Sequence, residues 1–448
     1  MYDPFSEQFN ELPCGPPLGR IVQAALKAAS PEVCIRRAMK CLNGRLEVGK
    51  DVFDLKKIGR IFILGAGKAV IGMAKETTRI LGDISYEGLI VCKSNPANEA
   101  IRQVRILLGD HPIPGPGSLR AAKETMALSG KLTKGDLVLF LVSGGTSALL
   151  AKPEEPLTLR DLQTMTKRLI GCGADIHEIN TVRKQLDAVK GGKLGRSFFP
   201  ADVITLAISD VAGDVMADIG SGPTIASRRS STAAWKILEK YRLLDDLPEH
   251  LYQFFENCRR QAENVIRREY KKRERSYVLA NNRTAVEAAA EQAKKEGLHC
   301  KVLPKFIQGE ASRVGARLAE MLLKAHHKRR GGQPPVLIIA GGESTVSVQG
   351  SGKGGRNQEL VLGAVQGLAG STPSALLSIA TDGEDGETLA CGAFATNQTL
   401  ARAQKMHLRP DVFLRNNDSY RFFEKLGGLI QTGPTGTNVN DLMLLLLA

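Results

Sequence analysis

Apolar runs of strand length recur along the whole chain, and most of them end in a glycine-rich turn. They begin as "IFIL" at Ile61, "LIVC" at Leu89, "VRILL" at Val104 and "LVLFLV" at Leu137. "VITLAI" at Val203, "YVLA" at Tyr277, "VLIIA" at Val336 and "LLSIA" at Leu376 follow. Between many of them lie longer amphipathic stretches, such as "GSLRAAKETMALSGKL" from Gly117 and "NNRTAVEAAAEQAKKEGL" from Asn281, which read as helices. Strand and helix in alternation predict an α/β fold with mostly parallel sheets covered on both faces. No repeat period stands out, so solenoids and propellers are set aside.

A chain of 448 residues is too long for one ordinary core and suits two α/β domains, with the cleft between them as the expected place for chemistry. The clearest composition break is the basic segment before Tyr277, which puts the divide near 275 and gives domains of 1–275 and 276–448. In that segment Arg259, Arg260, Arg267, Arg268, Lys271, Lys272, Arg273 and Arg275 are accompanied by Glu263, Glu269, Glu274 and one aromatic, Tyr270. With a formal net charge of +14, the segment reads either as a solvated helix face that attracts anions or as a polyanion site. The first is the working expectation, with no specific nucleic-acid partner. "HHKRRGG" from His326 reads as a helix end and linker.

The eight cysteines form no CxxC pair, which points to free thiols in a reducing compartment and away from zinc. The first twenty residues show no basic segment followed by an apolar core. The closing "LMLLLLA" is too short to span a bilayer and reads as a buried last strand. A cytoplasmic protein without a membrane partner is expected.

In parallel α/β sheets ligands bind at the carboxyl ends of strands, where the loop enters the next helix. There the chain places "GAGKAVIG" (Gly65, Gly67, Lys68), "SGGTSALL" (Ser143, Gly144, Gly145, Thr146, Ser147) and "SDVAGDVMADIGSGPT" (Asp210, Asp214, Asp218). Further on come "GGEST", "GSGKGGRNQE" (Lys353, Gly354, Gly355, Arg356) and "TDGEDGE" (Asp382, Glu384, Asp385, Glu387). Glycines let the backbone approach a phosphate, and the following helix presents its positive end. "SGGTSALL" thus reads either as an anion cradle or as a tight turn with a serine cap. "GAGKAVIG" departs from the dinucleotide fingerprint because Val70 stands where its third glycine belongs, and no loop has Walker A spacing. Lys68 is instead a point charge for a phosphate or carboxylate, and Arg356 offers a bidentate grip. The acidic loops suit Mg²⁺ or a base for a hydroxyl proton, although Asp382 and Asp385 also fit plain turns. His111, in "GDHPIPGPGS", is within chain reach of these turns. Cationic and anionic loops with many small donors favour phosphoryl transfer, and the absence of a GxSxG elbow disfavours hydrolysis.

The ordered set "GAGKA", "GDHPIP", "VSGGTSALL", "KGGKLG", "SDVAGD", "GSGPT", "GGESTV", "GSGKGGRNQE", "TDGEDG" and "TGPTGTNVNDL" resembles the glycerate 2-kinases, whose C-terminal part is the MOFRL domain. The resemblance runs from about Leu18 to the C-terminus. It implies a Rossmann-like three-layer N-terminal domain and a smaller MOFRL-type α/β domain. It also implies transfer of phosphate from ATP, with Mg²⁺, to D-glycerate, giving 2-phosphoglycerate, in a monomer or homodimer. On this chain it points to Lys68, Arg356 and Asp210 as catalytic. Gly65, Gly67, Ser143, Gly144, Gly145, Thr146, Ser147, Lys353, Gly354 and Gly355 would hold the nucleotide, and Asp214, Asp382 and Asp385 the metal. Asn438 and Asp441 match its closing motif. Departures include Thr146 for a glycine, and Val215 and Leu389 for aspartates. Removal of Lys68 or Arg356 is expected to cost turnover and little folding. Alternatives are a degenerate kinase, a kinase for another hydroxy acid, a nicotinamide-dependent dehydrogenase and a basic polyanion binder.

Overall fold

The computed structural model describes residues 5, 7–226, 230–260, 273–327, 334–371 and 373–448. The chain divides into two compact units, one of Pro31–Leu279 and one of Met1–Ser30 with Ala280–Ala448.

The Pro31–Leu279 unit opens with an antiparallel meander, β1 (Met39–Leu42), β2 (Arg45–Val48) and β3 (Asp51–Asp54), which the periodicity reading passed over. Its first hairpin turns on Asn43 and Gly44, both at positive φ (53° and 74°), the pair a two-residue hairpin loop requires. The unit also carries a six-stranded sheet made of β4 (Ile61–Ala66), β5 (Tyr86–Cys92), β6 (Val104–Leu108), β7 (Leu137–Val142), β8 (Asp202–Ile208) and β9 (Glu274–Ala280). Its order is β6-β5-β4-β7-β8-β9, and the pairings from β6 across to β8 are parallel. Every residue of β4 and β7 is buried, as continuous apolar runs between two covering layers must be. Four helices, Leu159–Gly171, Ile176–Leu186, Ser231–Lys240 and Glu249–Arg260, gather a separate core around Trp235, Leu238 and Phe255.

The second unit carries β10 (His299–Val302), β11 (Ile307–Glu310), β12 (Val336–Thr345), β13 (Ser374–Ala380), β14 (Gly392–Thr396), β15 (Leu429–Ile430) and β16 (Asp441–Leu447). The expected parallel sheet gives way here to a mixed one. The closing apolar run, β16, lies between β12 and β13 and is antiparallel to both. Only β10 and β11 pair with β12 in parallel. Hydrophobic periodicity reports burial and is silent on strand direction. The helix Gly15–Ala28 packs on the helix Asn282–Lys295, with Arg20 Nε 2.8 Å from Glu296 Oε1. Residues up to Ser30 therefore belong with the C-terminal strands rather than with a domain spanning 1–275.

Among the described residues no helix is long and apolar enough to cross a membrane. The described part of the basic run is matched to partners. Arg259 lies over the Trp235 ring at 4.3 Å, Arg260 pairs with Glu256, and Arg273 and Arg275 pair with Asp202. Arg267, Arg268, Lys271 and Lys272 fall outside the described residues, as does the 328–332 part of the "HHKRRGG" stretch.

Candidate active site

In the Pro31–Leu279 unit the turns after β4 and β7 are tied to each other. Gly67, at φ 140°, leaves room for Ser143, and a Cβ there would lie 2.1 Å from the Ser143 hydroxyl oxygen. That oxygen accepts the Ala69 N–H at 3.0 Å, and the Lys68 N–H reaches the Gly144 carbonyl at 2.9 Å. The Thr146 hydroxyl lies 2.6 Å from the Ala66 carbonyl and 2.7 Å from that of Ser143. Gly65 abuts the Leu141 carbonyl, where a Cβ would approach to 2.2 Å. Thr146, expected as a ligand donor, thus spends its hydroxyl proton on the junction of the two turns, where the Ser143 oxygen serves as an acceptor.

Gly145, at φ 88°, faces the open side of this junction. A Cβ there would stand 3.3 Å from the His111 ring and 3.5 Å from the Lys68 side chain, so both flank the same glycine. Beside them is a cavity of about 140 Å³ whose lining includes His111, Gly145, Ser147, Arg183, Asp187 and Lys190. One wall carries a hydrogen-bond chain. Ser221 Oγ donates to Asn180 Oδ1 at 3.0 Å, so Ser147, 2.8 Å away, donates to Ser221. Arg183 Nη1 reaches the same Asn180 oxygen at 3.4 Å.

The other wall is ionic. Lys190 is 1% exposed; its ammonium pairs with Asp187 and donates to the Leu150 carbonyl at 3.2 Å. Burial pushes the Lys190 ammonium below its ordinary value against the opposing pull of Asp187, and burial does the same to Arg183. Asp187 also accepts the Val189 N–H at 2.9 Å. Arg183, Asp187 and Lys190 were not singled out from the sequence. The available signal was their grouping in "VRKQLDAVKGGKLG", where charged residues alternate with apolar ones just before a double glycine. The glycines Gly191 and Gly192 fold that loop back, and their N–H groups bind the Ser221 and Gly222 carbonyls at 3.0 and 2.7 Å.

Asp210 and Asp214 follow β8 and are both half-buried, with Asp214 at φ 54°. Asp218 of the same loop is held by Lys184 at 3.0 Å and His177 at 2.9 Å. Val215, where the resemblance has an aspartate, is 46% exposed.

In the second unit, Arg356 opens the helix Arg356–Leu368 and its guanidinium serves two carboxylates. Nε and Nη2 reach Asp441 at 2.7 and 2.8 Å, and Nη1 reaches Glu343 at 3.0 Å. Asp441 is fully buried, so removal of Arg356 would strand a buried charge, contrary to the expectation of little folding cost. Asp385 sits over the start of the same helix. Its oxygens receive the N–H groups of Asn357 (3.1 Å) and Gln358 (2.9 Å) and both side-chain amides (3.3 and 3.0 Å). Burial pushes its carboxyl up to about 6, against the pull of those donors. With each oxygen doubly engaged, Asp385 acts as a helix cap and has no lone pair left for the expected metal. Gly354 and Gly355 are close-packing positions: a Cβ would lie 2.2 Å from the Ser419 hydroxyl and 2.3 Å from the Asp385 carboxyl. Lys353 lies over the Tyr420 ring at 4.5 Å. Asp382 is half-buried, and one of its carboxylate oxygens accepts the Glu384 N–H at 3.1 Å. Leu389 is 77% exposed.

Among the described residues, no three histidine, cysteine, aspartate or glutamate side chains gather to hold a metal. Mg²⁺ asks for less, because it keeps several waters and takes one or two carboxylates plus substrate phosphates. In the Pro31–Leu279 unit half-buried Asp210 and Asp214 fit that demand, and in the other unit Asp382 fits it separately.

A family model described as a domain of unknown function (DUF4147) matches residues 18–256, and the MOFRL family model matches residues 336–441. The glycerate 2-kinase of Pyrococcus horikoshii is 34% identical over 95% of this chain and 95% of its own length. The crystal structure of a glycerate kinase from Thermotoga maritima aligns with TM-score 0.82 at 33% identity, covering 96% of this chain and 98% of that one. The chain belongs to the glycerate kinase family. As a member it is a kinase, and the two motif-rich stretches are its DUF4147 and MOFRL parts. One further relative, from Agrobacterium vitis, is 35% identical over 98% of this chain and is provisionally named a hydroxypyruvate reductase. In this glycerate kinase family member Val215 and Leu389, where the resemblance has aspartates, are exposed.

Proposed function

We propose that this chain phosphorylates D-glycerate with ATP and Mg²⁺ to give 2-phosphoglycerate. The observation that carries the reading is 34% identity over 95% of the chain to an enzyme named for that reaction class, spanning both halves. The cavity beside Gly145 supports it: about 140 Å³ suits a three-carbon acid and is well below the range for nucleotide-sized ligands.

In this reading the glycerate 2-hydroxyl oxygen attacks the γ-phosphorus of ATP and the bond to the bridging oxygen breaks. ADP departs, and the hydroxyl proton passes to Asp210. Lys68 neutralises charge on the transferring group. Asp214 in the Pro31–Leu279 unit and Asp382 in the other are separate candidates for Mg²⁺, which would supply neutralisation of phosphate charge. Gly65 and Gly67, expected to hold the nucleotide, are packing positions filled by Leu141 and Ser143 and take no such role in this reading.

A reductase reading has the Agrobacterium name behind it and the turn geometry against it. The space beside Gly67 that a pyrophosphate would need holds Ser143 instead. Phosphorus NMR of the protein with ATP, Mg²⁺ and D-glycerate tests the proposal. A new phosphomonoester signal with the coupling of a 2-phosphate is expected. No such signal, together with NADH oxidation on hydroxypyruvate, would replace it with the reductase reading.

A further inference from the structure

Two cations, buried Lys190 and half-buried Arg183, line the cavity beside one carboxylate. Asp187 is that acidic side chain, already committed to Lys190 and to backbone N–H groups. The rest of the described lining is neutral: Pro112, Pro114, Ala148 and Leu162 are apolar, while Ser147 and Thr166 bring hydroxyls. The His111 ring completes the wall next to Gly145. Buried Lys190 and half-buried Arg183 against one anion leave a positive charge that an anionic ligand within the cavity would balance. Burial depresses both cations against the opposing pull of Asp187.

From this juxtaposition we infer that Arg183, with Lys190 behind it, forms the subsite for the carboxylate of the small hydroxy acid, and that it selects acids over neutral polyols. The inference rests on the proposed glycerate reaction for the identity of the acid. Arg183 is the contact residue: its planar fork suits a carboxylate, and its hydrogen bond to Asn180, at 3.4 Å, is long. Lys190 and Asp187 are positioning residues. Their pair fixes the loop that closes the cavity and sets the field to which Arg183 adds.

The test uses D-glycerate and its amide, glyceramide, which has the same shape and hydroxyls without the charge. In the unaltered protein, calorimetric titration should show glycerate binding and glyceramide binding at least about 10-fold weaker. Arg183→Gln should raise KM for glycerate roughly 10- to 100-fold, leave KM for ATP unchanged and erase the preference over glyceramide. Arg183→Lys should recover part of the preference, since it keeps the charge and loses the fork. A rise in KM for ATP alone would assign the cations to a nucleotide phosphate and overturn the inference. So would equal binding of acid and amide to the unaltered protein, a result that needs no variant. If glycerate binds in an Arg183-dependent way but is never phosphorylated, the subsite stands and the kinase reading fails. If glycerate does not bind, the subsite fails.

Discussion

The Arg356 guanidinium lies along the Asp441 carboxylate with Nε 2.7 Å from Oδ2 and Nη2 2.8 Å from Oδ1, and the carboxylate is wholly buried. Breaking such a pair by removing one partner leaves an uncompensated charge, at a cost of about 3–5 kcal/mol. Arg356→Ala is expected to lower stability to denaturant by that amount, and Arg356→Ala with Asp441→Asn should recover a large share. A single-variant loss below about 1 kcal/mol would show that the pair is not an anchor.

Glu76 offers a pH test. Hydrogen bonds from Arg79 first, and then Arg36, hold its carboxyl down to about 2, outweighing burial. A carboxyl lower in the fold than in the unfolded chain stabilises the fold above the unfolded value, near 4.3, and loses that contribution as pH falls through about 2. Both arginines are more than half exposed, so the contribution is roughly 1–2 kcal/mol rather than the full shift. The stability gap between the unaltered protein and Glu76→Gln should be open at neutral pH and close in acid. A gap constant with pH would detach Glu76 from acid stability.

Gly67→Ala should be more damaging than an ordinary turn substitution. Its φ of 140° is unfavourable for any side chain, and the new methyl would meet Ser143 Oγ at 2.1 Å. A loss of roughly 2–4 kcal/mol is expected by thermal unfolding, of which adding Ser143→Gly relieves the clash with the hydroxyl and leaves the contacts of 2.9 Å with the backbone N and O of residue 143. No relief in the double variant would mean that backbone strain and the backbone contacts, rather than the hydroxyl, set the cost.

These examples show where the sequence is legible. β4 and β7 announce themselves because both faces are covered, and an unbroken apolar run has no other home. Asn43-Gly44 was equally readable as a hairpin turn, but its strands are too short and too exposed to display a period. The direction of β16 leaves no trace in composition. Arg183, Asp187 and Lys190 lie at intervals of four and three, a spacing that suggests one helix face, yet the helix Ile176–Leu186 ends before the last two. Their convergence depends on the fold of the Gly191-Gly192 loop. Ser143 and Thr146 were correctly seen as hydroxyls in a strand-end turn, but only the three-dimensional junction shows what those hydroxyls engage.

Metal removal separates catalysis from folding. No cluster of metal-ligating side chains occurs among the described residues, so a chelator has no structural ion to extract there. Turnover with ATP should vanish in chelator and return with Mg²⁺, while the melting transition without nucleotide stays where it was. A lowered melting point in chelator alone would reveal a structural metal.

Lys68 is the position at which chemistry and stability should part most cleanly. Its backbone N–H is committed to Gly144, a bond that any non-proline residue makes, while its side chain runs past Gly145 beside His111 at the edge of the cavity. Truncation to alanine therefore leaves the turn intact and removes one positive charge from the place where charge would develop in phosphoryl transfer. Loss of a single preorganised donor of this kind costs roughly 100- to 1,000-fold in kcat, and Lys68→Ala should show that loss with an unchanged melting temperature. Lys68→Arg keeps the charge on a longer, planar group and should recover only part of the rate, because the ammonium acts as a compact point charge. If Lys68→Ala instead raised only KM for glycerate at full kcat, the ammonium would be a ground-state anchor, binding substrate and transition state equally.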